Sequence, residues 1–383
     1  MVMLNGTTTG HYSQSDYTDF AHAGPGTLAG EYLRRFWQPV YRAIDLPPGH
    51  AKPIHIMGED FTLYRGEGGT PHVVAFRCAH RGTQLSTGWV EGDCIRCFYH
   101  GWKYDAAGQC VEMPAEDPSF PPKVRIKSYP AQEYIGLIFA YLGDGEAPPL
   151  PRHRVLEDDG VLETEVYYRP CNYFQNIENG PDEVHLAFVH HDTHGLPVVP
   201  RVEVEETEYG LVQYGHRPGQ PVRVTHVEMP NILRIKIPPP AEAPHSDWRD
   251  YVSWRVPVDD QTHATFTAQL VHVTGAEAEA YRRRREVPPP DVPSVDEVAA
   301  RILRGELRVH DLADYPSLLN VQDTVAQVGQ GAIADRQHER LGRSDVGVIL
   351  VRKLWERELR ALAEGRPLRQ WVYPERLETT SGV

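Results

Sequence analysis

The chain has no apolar run long enough to cross a bilayer. About 18 uninterrupted apolar residues are needed, and the most apolar stretch, YIGLIFAYLG at 134–143, falls well short. Positive charge is also in deficit, with 39 Lys and Arg against 53 Asp and Glu and a net charge of −14. An acidic surface repels phosphates, so neither nucleic acid nor an anionic membrane is an expected partner. The N-terminus lacks a basic segment followed by an apolar one, so no secretion signal is expected and the cytoplasm is the default location. Cysteine is scarce and odd in number, five in all with four between 78 and 110. That pattern argues against a disulfide framework and points to metal chemistry in a reducing compartment. Internal repeats are absent, as is a strand-placed G-x-G-x-x-G fingerprint for a nicotinamide or flavin dinucleotide.

What is present divides in two. A chain of 383 residues exceeds the usual single-domain size, so two domains are expected. Residues 1–36 combine a polar start with GTLAGEYLRRFW, an amphipathic stretch expected to form a short helix. Residues 37–150 alternate apolar and polar positions between Gly and Pro turns, as in HIMGEDFTLYRG and HVVAFRC, which predicts a small all-β domain. The Pro-rich GDGEAPPLPRH at 143–153 reads as a linker. Residues 151–383 mix strand text, RVEVEETEYGLVQYGH and HATFTAQLVHVTG, with helical text at 275–286, 294–306, 317–334 and 344–364. The last helix is predicted to start on Ser344 as N-cap, to carry Asp345 in its first turn and to end at Gly365 and Pro367. Its Val348, Val351, Leu354, Leu359 and Leu362 mark a core face. RRRR at 282–285 reads as a solvated helix face, and the Pro-rich runs at 237–244 and 287–293 as loops.

Four metal-ligand residues stand in two short clusters, Cys78-x-His80 and Cys97-x2-His100. Each cluster supplies one thiolate and one imidazole, and the intervening segment can return the chain so that the two loops face each other. A tetrahedral zinc site is one reading, and Cys94-x2-Cys97-x2-His100 adds a zinc-knuckle variant of it. Structural zinc usually pairs Cys with Cys and His with His, however, whereas these loops mix them. A two-iron, two-sulfide cluster with two thiolates on one iron and two imidazoles on the other suits the mixture. Gly82 and Gly101 follow the histidines closely, where the backbone must turn tightly and its N–H groups can approach cluster sulfur. CAHRG with CFYHGWKYDAAGQC resembles the iron–sulfur motif of Rieske oxygenases.

A second group lies in NIENGPDEVHLAFVHHDTH at 176–194. Pro181 suits the first position of a helix, capped by Asn179 or Gly180, with Asp182 and Glu183 near the positive end of the dipole. Asp182 and His185 then share a face. His190 is five positions beyond His185, about 140° off register, so both bind one ion only if the helix is distorted or ends there. His191 and His194 compete with them as ligands. The order Glu178-Asn179-x2-Asp182-x2-His185-x4-His190 is similar to the catalytic-iron motif of the same family, except that Gly180-Pro181 stands where a bulky apolar residue is frequent.

That resemblance implies that His185 and His190 bind mononuclear Fe(II), and that Asp182 links an iron-ligand histidine to a cluster-ligand histidine of a neighbouring subunit. A facial set of two histidines and a carboxylate needs one more ligand, for which Asp314, Asp323, Asp335 and Asp345 are candidates. Asp345 is explained by capping and Asp335 by its charged surroundings. Asp323 sits in the largely uncharged LLNVQDTVAQVGQG, where an isolated carboxylate needs a partner; this segment resembles the third-ligand region of the phthalate-dioxygenase-like branch.

The fold implied is α+β, an all-β Rieske [2Fe-2S] domain followed by a catalytic domain with an antiparallel sheet covered by helices. Residues 1–36 are expected to pack on that second domain, 151–383. The resemblance also implies a terminal oxygenase that takes electrons from a separate NAD(P)H-dependent flavin and iron–sulfur reductase. Such a protein assembles as a homotrimer or stacked trimers, and uses dioxygen to hydroxylate, dihydroxylate or O-demethylate an aromatic compound, an aromatic acid being the substrate that the branch favours. Arg217 and Arg234, in strand text after the iron motif, are candidates to pair with a substrate carboxylate. A non-catalytic electron carrier or a zinc-binding protein is the alternative, in which the second motif is accidental.

Overall fold

The computed structural model describes residues 13–191, 193, 198–286 and 291–377. Its first half is built from three small antiparallel sheets, whose short strands follow the Gly-punctuated alternation of the sequence. Trp37–Arg42 pairs with Leu137–Tyr141, and that strand with Ala131–Tyr134. Ala51–Ile56, Glu59–Arg65, Pro71–Ala75 and Ser128–Tyr129 form a second sheet; Trp89–Glu91, Cys94–Arg96, Lys103–Tyr104 and Cys110–Glu112 form a third, at the cysteine-rich end.

The second half is organised by one seven-stranded antiparallel sheet, in the order Val161–Arg169, His263–Val271, Arg249–Pro257, Ile232–Ile237, Arg223–Glu228, Gly210–His216, Arg201–Glu206. Its last six strands in chain order, from Arg201 to Val271, meander from one edge inward, and the first strand then pairs with the last across the other edge. Tyr173–Asn179, Leu318–Val328 and the long Val346–Ala363 helix pack around the sheet. The sheet has two unlike faces. Trp254, Phe266, Ala268 and Leu270 join an apolar core with Trp37, Val40, Phe139 and the helix Leu28–Arg34, whereas Ser253, Arg255, His263, Thr265 and Thr267 are buried polar residues.

Leu28–Arg34 starts where expected, with the Thr27 side chain accepting from Gly30 N–H. It packs on the C-terminal helix, with the Tyr32 and Trp355 rings 5.2 Å apart. A separate small core of Tyr64, Val74, Leu85, Ile95, Trp102 and Tyr104 surrounds Cys78 and Cys97.

Three sequence expectations need correction. The helix expected to begin at Pro181 instead ends before it. Tyr173–Asn179 is capped by Asn172, whose side chain accepts from Phe174 N–H, and Pro181 has no N–H with which to continue the ladder. The last helix runs Val346–Ala363 with Asp345, not Ser344, at its N-cap, because Ser344 lies in a preceding 3-10 turn that Asp345 closes by accepting from Gly342 N–H. The helix expected over 317–334 stops at Val328, in front of a Gly329–Gly331 turn. As expected, Val348, Val351, Leu354 and Leu359 are buried and 282–285 is exposed.

Candidate active site

The cysteine-rich loops have matching backbones. Cys78 N–H donates to Thr83 C=O at 2.8 Å and Gly82 N–H to Cys78 C=O at 3.0 Å; Cys97 N–H donates to Trp102 C=O at 2.8 Å and Gly101 N–H to Cys97 C=O at 3.1 Å. Both closures need left-handed backbone, and Gly82 (φ 74°) and Gly101 (φ 73°) supply it. The result places both thiols inside the small core and both imidazoles, 4.5 Å apart between ring centroids, at the surface. His80 stacks on Trp102 at 4.5 Å. The Tyr104 hydroxyl lies 3.2 Å from Cys78 Sγ and accepts from Ala79 N–H. Burial raises the pKa of the Cys97 thiol, and the N–H groups of Tyr99 and His100, which point at its sulfur, oppose the rise.

A single tetrahedral ion does not fit this arrangement. It needs ligand atoms within about 4 Å of one another, yet among the described residues no three of these four side chains bring ligand atoms within 4.8 Å. Buried thiols on one side and exposed imidazoles on the other fit two metal positions, the arrangement of a [2Fe-2S] group with mixed ligands. Cys94 stands apart, beside Lys103, Asp105 and Asp93.

The second group does fit one ion. The ligand atoms of His185, His190 and Asp323 all lie within 4.8 Å of one another, the one such triad among the described residues. His185 opens a short helix that stops at Phe188, which removes the angular mismatch that a continuous helix would impose and lets the rings approach to 5.3 Å between centroids. His190 Nε2 is 3.0 Å from Asp323 Oδ1, and its Nδ1 is 3.0 Å from Gln322 Oε1. His185 Nδ1 bonds the Asp182 carbonyl. Both rings are thus held from behind, each leaving Nε2 for the ion. Burial pushes the Asp323 carboxyl up, but the His190 bond and the Arg169 charge outweigh it and hold its pKa at about 2. A divalent ion would take the place of the proton shared by His190 and Asp323.

Asp182 is half-buried, and its Oδ1 accepts from Val184 and His185 N–H at 3.1 and 3.3 Å, capping the short helix. Asn179 closes the preceding helix and its carbonyl accepts from Asp182 N–H. His191 is exposed, and His194 lies outside the described residues.

Arg217 and Arg234 are not available to a substrate. Arg217 is buried against Glu183 at 2.7 Å, and Arg234 against Glu228 at 2.9 Å; a guanidinium that already has a buried carboxylate has no unmet charge to offer. Glu183, also paired with Arg223 at 2.8 Å, entered the sequence reading only as a helix-dipole partner, and Gln322 not at all. Nothing local marks the ion pairs of the one or the histidine bond of the other, because their partners lie 34 to 132 residues away.

Residues 36–130 match the Rieske [2Fe-2S] domain. Over 360 residues the chain is 32% identical to the 5,5'-dehydrodivanillate O-demethylase oxygenase subunit of Sphingobium sp. (strain NBRC 103272 / SYK-6), covering 90% of this chain and 80% of that one. The chain belongs to the Rieske oxygenase family. A second relative of the oxygenase, phenoxybenzoate dioxygenase subunit alpha of Ectopseudomonas oleovorans, is 31% identical over 89% of this chain and 84% of its own. The fold matches the oxygenase in the reduced oxygenase–ferredoxin complex of carbazole 1,9a-dioxygenase with a TM-score of 0.64, at 22% identity and coverage of 92% and 95%. This Rieske oxygenase is therefore an enzyme, a terminal oxygenase component with a [2Fe-2S] cluster and a mononuclear iron as its cofactors. Among the described residues, no helix is long and apolar enough to cross a membrane.

Proposed function

We propose that this oxygenase hydroxylates, dihydroxylates or O-demethylates an aromatic substrate, with electrons from a separate NAD(P)H-dependent flavin and iron–sulfur reductase. The observation that carries the reading is the convergence of His185, His190 and Asp323 within 4.8 Å in a chain that also carries the two matched Cys/His loops. In this reading Cys78 and Cys97 would hold one iron of the cluster, His80 and His100 the other, and the triad would hold Fe(II). When bound, these groups supply one-electron storage and a metal face open to dioxygen. The relatives named for dehydrodivanillate and phenoxybenzoate, both ring compounds, support an aromatic substrate.

The residues around the metals divide the work. Gln322 and the Asp182 carbonyl fix the two histidine rings, and Asp323 stays ionised, so the site needs no proton release from a carboxylic acid to take its ion. Exposed imidazoles put the electron-accepting edge of the first centre where a donor protein or a second subunit reaches it. Among the described residues, Asp182 Oδ2 forms no hydrogen bond and neither His80 nor His100 bonds Asp182 of its own chain. This supports a homotrimer or stacked trimers in which Asp182 takes a bond from a cluster histidine of the neighbouring subunit.

The test is a product screen of the iron-loaded protein with a reductase and NADH, against aromatic acids and methoxyaromatics, read by mass for added oxygen or lost methyl. Oxygen uptake that depends on reductase and aromatic substrate together is expected. A protein with the cluster spectrum but no oxygen consumption across the screen would return the chain to an electron carrier.

A further inference from the structure

The third side chain of the triad stands on an element of its own, and polar contacts tie that element to the rest of the domain. Asp323 is carried by the helix Leu318–Val328, whose chief neighbour is the helix Val295–Leu303. Among the described residues, none of its side chains belongs to the apolar core that joins the sheet to the C-terminal helix. Gln175 Nε2 instead donates to the carbonyls of Gln327 and Gly331 at 2.8 and 3.0 Å, and Gln322 Oε1 accepts from His190. A further attachment is Arg169, the last residue of the strand Val161–Arg169.

Arg169 is 2% exposed, and its guanidinium is clamped along the helix. Nε donates to Thr324 Oγ1 at 3.1 Å and Nη1 to Gln327 Oε1 at 3.2 Å. Thr324 follows Asp323 directly, and Gln327 lies four positions on, over the same helix face. Held in this way, Nη2 has no hydrogen-bond partner and stands 3.7 Å from Asp323 Oδ2, just beyond hydrogen-bond reach. Arg217 and Arg234 behave differently, meeting their glutamates at 2.7 and 2.9 Å. A close pair of that kind at Asp323 would tie up the carboxylate and set the cation in competition with a metal ion. Set back at 3.7 Å, Arg169 attracts Oδ2 without capturing it, while Oδ1 faces His190 Nε2 at 3.0 Å. Pinning the helix does not by itself call for an arginine, since a neutral donor makes the same bonds to Thr324 and Gln327 without the desolvation of a charge.

We propose that Arg169 is a positioning residue for Asp323: its charge turns Oδ2 toward the strand end and so presents Oδ1 to the ion beside His185 and His190. An aspartate carboxylate has a broad, two-fold preference about its last bond, and a ligand that must first be oriented holds its ion less tightly than one already in place. The inference rests on the oxygenase reading above, which gives the triad its Fe(II), and deepens it by naming the group that orients the third ligand.

Metal affinity tests it without turnover. Fe(II) is competed anaerobically between the cluster-loaded oxygenase and a fluorescent chelator, with cluster iron and sulfide counted alongside. Arg169→Gln is expected to weaken the mononuclear site by about tenfold to hundredfold, with the cluster retained. Thr324→Val and Gln327→Leu, which each release the guanidinium on one side and leave its charge, should weaken it by less. A double-mutant cycle read with zinc(II), which binds imidazole sites more tightly than Fe(II), separates orientation from folding. Arg169→Gln should weaken the site when Asp323 is present, and leave it within about twofold when Asp323→Ala has removed the carboxylate. An unchanged or tighter affinity in Arg169→Gln overturns the proposal, as does an equal loss in both arms of the cycle. If Arg169→Gln does not fold, the Thr324 and Gln327 variants decide, and native affinity in both overturns it. A native protein that takes up no third iron fails the oxygenase reading itself, whereas a third iron held equally by the native protein and Arg169→Gln fails the positioning role alone.

Discussion

His263 and His153 show how single residues tie this enzyme's stability to pH. Burial holds each pKa down at about 3, from an ordinary 6.5, and both rings are enclosed by the protein. Above pH 6.5 both are neutral whether the chain is folded or not, so they favour neither state. Below it the unfolded chain takes up protons that the folded one refuses, and stability falls by about 1.4 kcal/mol per pH unit per histidine until about pH 3. Denaturant titrations between pH 7 and 5 should show that slope, and His263→Gln should reduce it; a flat profile contradicts the buried neutral rings. Residue by residue, what the sequence made legible were groups with short spacing or odd surroundings. Cys78, His80, Cys97 and His100 announce themselves by proximity, and Asp323 by being a charge in an uncharged stretch. Gln322 and Arg169 were not legible, because each owes its importance to a partner over a hundred residues away.

At the scale of elements, the turn from Gly180 to Val184 is the piece that aims the iron motif, and an ion triad centred on the buried Glu183 holds it. Glu183 lies between Arg217 and Arg223, and a side chain added at Gly215 would collide with its carboxylate. Replacing Glu183 with Gln leaves the Arg217 charge uncompensated, which should cost about 3–5 kcal/mol. Thermal melts are expected to show the loss, with mononuclear iron released before the cluster; equal stability of the variant would mean that the triad is incidental. The same segment explains the misread helix. Pro181 is compatible with a helix start and with a helix stop, and only the packing of Tyr173, Phe174 and Ile177 into the core selects the second. The seven-stranded order was equally hidden, since alternation reveals strands but not which of them become neighbours.

For the whole molecule, the proposed exchange of electrons between subunits would make assembly part of the activity. Asp182→Asn should keep both metals and the oligomer, seen by sedimentation, while reoxidation of the reduced cluster in the presence of substrate and dioxygen slows by about a hundredfold or more. Unchanged reoxidation would remove Asp182 from the electron path. In the proposed function the Cys/His loops and the His185–His190–Asp323 triad are two metal centres with separate tasks. Iron and acid-labile sulfide counted in Asp323→Ala test it most directly. Iron should fall from about three to about two per chain, with about two sulfides and the visible spectrum of the cluster retained and product formation lost. Three irons with full turnover in that variant would contradict it.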